Sequence, residues 1–181
     1  MSTANPVMSG AVTTVLVLAI ILGAFGLLGN LIAIGTVALS SKIQQITNAN
    51  MEGDANNEAY KNFQAATNRT QLLGLPGILV KMVLSVLIAW SAIGVFRRVE
   101  CERERLRKWF LIAMCVEPFI LVLTFYGQYQ MLEPTREFYQ ATIPQFANMT
   151  GGFMIAGAAY VLLWSTAKLV FFWIGRRALA A

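Results

Sequence analysis

No charged side chain interrupts the chain between Ala11 and Leu39. An α-helix over that stretch, rising ~1.5 Å per residue, is roughly 43 Å long. The apolar thickness of a bilayer is only ~30 Å. A helix of a soluble domain carries a polar face along its length, and this stretch has none. A secretory signal needs a basic leading region and a much shorter apolar core, so the stretch reads as a retained first transmembrane helix. Its surplus length calls for tilt or projection beyond the membrane. The small or polar residues Ala19, Gly23, Gly26, Asn30 and Ala33 recur in steps of four, three, four and three. That spacing makes the seam of a left-handed helix pair, where missing side chains let two backbones approach and an amide can bond across. The seam serves either the chain's own bundle or a contact with another subunit.

Three further apolar segments follow, and with 57% of residues hydrophobic and 13% charged the chain is far more apolar than an average soluble domain. The expectation is an all-α fold: an integral membrane four-helix transmembrane bundle with a small extracytoplasmic cap, forming one membrane domain over residues 1–181. The spans fall at about 11–39, 76–96, 109–127 and 150–174. Outer loops occupy 40–75 and 128–149, and a hairpin occupies 97–108. In the first outer loop, 42–50 continues the first span, Met51-Glu52-Gly53 breaks it, and Asp54 caps a segment reaching about Thr67. Pro76 opens the second span, where its missing N–H costs nothing. Pro134 starts a short helical turn and Pro144 stops it. On the fourth span Gly152, Ala156 and Ala159 make a second small-residue stripe suited to helix packing.

Orientation follows from the basic residues. The hairpin carries Arg97, Arg98, Arg103, Arg105, Arg107 and Lys108, and the end of the fourth span carries Arg176 and Arg177; the two outer loops together hold four. The excess marks the cytoplasmic face, so both termini are cytoplasmic in a multi-pass protein of a plasma or bacterial inner membrane. These residues act as topology signals or as contacts to membrane lipids. Orientation alone accounts for the net charge of +5, and no nucleic-acid partner is indicated.

The chain has no histidine, which removes His-ligated metal sites and His as a general base. Cys101 lies in the hairpin and Cys115 in the third span, so neither can staple the outer loops. No catalytic set, metal site or cofactor is expected, and the chain does not read as an enzyme.

One pair carries chemical interest. Glu117 is nine residues from Lys108, and Lys168 is eight from Arg176. Both therefore sit roughly 12 to 14 Å in from the same membrane face. Facing each other across neighbouring helices, they avoid the cost of single buried charges. Pro118 frees the carbonyl of Met114 and favours a kink. Lys81, one turn inside the second span, reads as a snorkelling side chain, and with Ser85, Ala89 and Ala92 it forms a stripe at helical spacing suited to an interior face. The leading expectation is a non-catalytic structural or accessory subunit of a membrane assembly, partnered by other membrane subunits or by its own copies. The alternative is a small oligomeric transporter or channel component that uses Glu117 and Lys168 as its polar pathway.

Overall fold

In the computed structural model, which describes residues 9–50 and 57–180, the chain is almost entirely helical. α1 is Gly10–Asn50, α2 Asn57–Phe96, α3 Glu100–Thr142, α4 the single turn Pro144–Ala147, and α5 Thr150–Ala178. Four of these are long and apolar enough to cross a membrane, over Gly10–Leu39, Glu58–Phe96, Cys101–Thr142 and Thr150–Ala178.

α2 and α3 run antiparallel in one unbroken register. Glu102 lies against Gly94, Glu117 lies opposite Lys81, and Ile120 lies against Gly77. Thr67 meets Met131, and Phe63 stacks on Phe138 with ring centroids 4.8 Å apart. The continuation of α1 through 42–50 and the helical segment up to Thr67 are as expected; the long register corrects the remainder, where α2 runs on without a break into the second span and α3 runs past Gly127. α1 reaches Asn50, α2 starts at Asn57 and α3 reaches Thr142, so most of 40–75 and 128–149 is helix. Hydropathy marks where apolar residues end, but a helix goes on wherever a neighbour supports it, as Phe63 and Phe138 do here.

The prolines shift accordingly. Pro76 lies inside α2 and Pro134 inside α3; each removes one backbone hydrogen bond, a local loss that contacts along the helix pair outweigh. α3 ends at Thr142, just before Pro144, as expected, and Pro144 also opens α4, as suits a residue whose N–H would be unpaired at a first turn. The expected break at Met51-Glu52-Gly53 and the Asp54 cap lie outside the described residues.

The expected hairpin of residues 97–108 shrinks to Arg97–Val99, because α3 begins at Glu100. The Val99 N–H donates to the Gly94 carbonyl at 3.1 Å and the Arg98 N–H to the Val95 carbonyl at 3.0 Å. Arg98 has φ 61°. This is the helix-ending motif in which one left-handed residue lets the last carbonyls be satisfied, a place glycine fills without steric cost. Arg98→Gly is expected to stabilise the protein by about 1 kcal/mol, read as a rise in unfolding temperature in non-ionic detergent; an unchanged or lowered value would contradict the assignment.

The core sits at the hairpin end. Leu16, Leu106, Phe110 and Leu179 are fully buried there, with Ala19 of α1 and Ala92 of α2. Phe110 packs between Phe171 and Phe172, at 5.7 and 5.5 Å between centroids. It also lies over Gly175, where an added Cβ would come within 2.6 Å of the ring and 3.1 Å of Val15. The Arg103 guanidinium donates to the Leu179 carbonyl at 2.9 Å. The start of α1 and the end of α5 are thereby held at one end of the bundle.

Candidate functional site

The seam of α1 faces α2. Gly23 lies against Ser85 and Ala89, and Gly26 against Ser85, so this stripe serves the chain's own bundle. Further along, α1 and α5 part. Phe25 of α1 and Trp164 of α5 are exposed on either side of the gap, and no other element lies within 4 Å of where a side chain would start at Gly29 or Gly157. The space between them is a cavity of about 270 Å³ that touches all four long helices. Asn30 of α1, Lys81 and Ser85 of α2, Glu117 of α3, and Trp164 and Lys168 of α5 line it.

Glu117 organises the polar side of this cavity. Its residue is 6% exposed, and three groups from two other helices converge on its Oε1. The Lys168 ammonium donates a hydrogen bond to it, the Ser165 hydroxyl donates another at 3.0 Å, and the Lys81 ammonium stands 3.8 Å away. Ser165 and Lys168 are three apart on α5 and so share one face. The α2–α3 register delivers Lys81. α2, α3 and α5 therefore meet at a single carboxylate oxygen.

The two lysines are not equivalent. Lys168 is hydrogen-bonded and 18% exposed at its side chain, whereas Lys81 is 30% exposed at ion-pair distance. Two ammonium groups against one carboxylate leave a formal excess of one positive charge. In a hydrocarbon setting an unpaired charge costs about 2.5–3.5 kcal/mol even on the lenient insertion scale. An anion in the cavity, or release of one lysine proton, relieves that excess.

Of the residues singled out in the sequence, the structure brings Glu117 and Lys168 together. Pro118 lies inside α3. Asn30 lines the cavity, and Ala33 is half-buried. Gly152, Ala156 and Ala159 are exposed and face no other element among the described residues. The basic residues gather at the hairpin end and several have structural roles. Arg105 donates to the buried Glu102 carboxylate at 2.7 Å, Lys108 pairs with Glu104 at 2.8 Å, and Arg177 lies over the Trp173 ring at 4.2 Å. Arg107 is half-buried, and Arg97, Arg98 and Arg176 are exposed. Cys101 and Cys115 are exposed free thiols. Among the described residues, no three His, Cys, Asp or Glu side chains come together as metal ligands do.

Sequence reasoning placed Lys81 on an inward stripe but missed its approach to Glu117, and it missed Ser165 as a member of the cluster. The signal for Lys81 is present: it lies 17 residues before Arg98 and Glu117 lies 19 after, so an antiparallel helix pair turning at Arg98 sets them side by side. For Ser165 the signal is its position three residues before Lys168.

Fold and site together define a bundle of four long apolar helices with a polar, cation-rich cavity inside it. No family model matches the chain, and neither the curated proteins nor the solved structures contain a match to it.

Proposed function

We propose that this chain is a non-catalytic structural or accessory subunit of a membrane assembly, crossing a plasma or bacterial inner membrane four times with both termini cytoplasmic. The observation that carries the reading is the outer face of α5. Gly152, Ala156 and Ala159 form a small-residue stripe at helical spacing that no part of the described chain covers. Such stripes let helices of separate chains approach closely in lipid, where dispersion contacts replace the hydrophobic drive. The basic residues at the hairpin end support the cytoplasmic assignment of that end. The polar helical stretches of α1, α2 and α3 beyond their apolar segments support a small extracytoplasmic cap.

Gentle extraction followed by native mass measurement, with every co-purifying chain identified, tests this reading. The expected result is a discrete complex, containing other membrane polypeptides or further copies of this chain, that Ala156→Leu dissociates. A detergent-bound monomer unaffected by that substitution would contradict it.

A second reading, a small oligomeric transporter or channel component, is favoured by the cavity beside Glu117 and Lys168. It predicts that Glu117→Gln abolishes solute flux in vesicles while the native mass is retained. Flux unchanged in that variant would contradict it.

A further inference from the structure

We propose that the cavity between α1 and α5 is a binding site for a small organic monoanion with an apolar body, held by its acidic head against Lys81. The inference goes beyond both readings above and holds under either, because it rests on the charge and shape of the cavity alone.

Four observations converge. Among the described residues, the titratable groups facing the cavity are Lys81, Glu117 and Lys168, and with both lysines protonated they leave one positive charge uncompensated. Lys168 donates to Glu117, so among the described residues the less engaged cation is Lys81, at ion-pair distance from Glu117 and partly exposed. The rest of the wall is mostly apolar, with Phe25, Leu84, Ile88 and Trp164 around the polar patch. Ligand sites of this kind combine an apolar lining with a few polar groups that fix orientation. The gap between α1 and α5 gives an amphiphile a lateral way in, its tail among apolar side chains and its head toward the lysine.

The head is assigned as singly charged because the excess is a single charge. A dianion would turn the excess into one uncompensated negative charge, and a cation would meet two ammonium groups. A neutral amphiphile of the same shape would leave the excess charge where it stands. Asn30 and Ser85, on the same wall, supply the polar side chains that would satisfy the remaining acceptor positions of a carboxylate head.

Quenching of Trp164 fluorescence tests this in purified full-length protein in non-ionic detergent, with 8-bromooctanoate as the probe and 8-bromooctan-1-ol and 8-bromooctylammonium as matched controls. The expected result is saturable quenching by the carboxylate at concentrations where neither control quenches. Trp164→Phe should abolish that component of the signal. Lys81→Met should weaken the apparent affinity at least about tenfold, the change expected for loss of roughly 1.4 kcal/mol of binding; Lys81→Gln serves where the Met variant does not fold. Equal quenching by the alcohol or the amine would overturn the proposal. So would an affinity unchanged in the Lys81 variants, or a saturable component that survives Trp164→Phe.

Discussion

Glu117→Gln is expected to lower the stability of the purified protein by about 3–5 kcal/mol, the cost of removing one partner from a buried ionic cluster. The substitution leaves the Lys168 and Lys81 ammonium groups facing each other with no carboxylate between them, and it weakens the acceptor of the Ser165 hydroxyl. The two lysine substitutions should behave differently from each other. Lys81→Met removes the excess charge and keeps the hydrogen-bonded Glu117–Lys168 pair, so its stability should equal or exceed that of the parent. Lys168→Met takes away the hydrogen-bonded cation and should cost more than Lys81→Met but less than Glu117→Gln, because Lys81 remains to offset the carboxylate. Unfolding in non-ionic detergent, driven by heat or by titrated sodium dodecyl sulfate, reads all three. A Glu117→Gln variant as stable as the parent would show that the cluster holds nothing together.

Gly23→Leu should cost about 3 kcal/mol, toward the upper end of what overpacking does. A Cβ at position 23 would fall 2.8 Å from the backbone carbonyl oxygen of Ser85 and 2.7 Å from the Ala89 Cβ. Neither neighbour is the far end of a flexible side chain, so the two helices must separate along the seam that carries Ala19 and Ala92. Gly29→Leu is the matched control on the same helix. No neighbouring element lies within 4 Å of its Cβ position, and its effect should stay within about 0.5 kcal/mol. Equal losses in the two variants would mean that α1 is not seated on α2 through the Gly23 face.

The apolar spans and the Glu117–Lys168 approach are legible in the sequence for the same reason. In hydrocarbon a bare charge is costly, so two charges of opposite sign at matched depth point to each other. The seam of α1 is legible from step size alone, since Gly23 and Gly26 mark where a backbone comes close. The ends of the helices are not legible. Composition changes near Leu75 and Gly127, where apolar residues give way to polar ones, yet α2 and α3 cross these boundaries without a break. What supports the polar stretches of α2 and α3 is tertiary: Phe63 on Phe138 and Thr67 on Met131, contacts between residues far apart in the chain. The partner of Lys81 is not legible for a related reason. On its own helix Lys81 is an ordinary lysine near a polar boundary, and only the register with α3 sets it beside Glu117. Gly152, Ala156 and Ala159 carry the same spacing signal as the α1 seam, yet the described chain leaves them uncovered. A stripe shows that close approach is possible, not which helix approaches.

The claim on which the rest stands is that Glu117 and Lys168 are physically coupled across α3 and α5. A double-mutant cycle measures this most directly, with the unfolding free energies of Glu117→Gln, Lys168→Met and the double variant set against the parent in non-ionic detergent. The account predicts a double variant more stable than the sum of the single losses implies, with a coupling above about 1 kcal/mol. Losses that add to within about 0.5 kcal/mol would place the two side chains apart and contradict it.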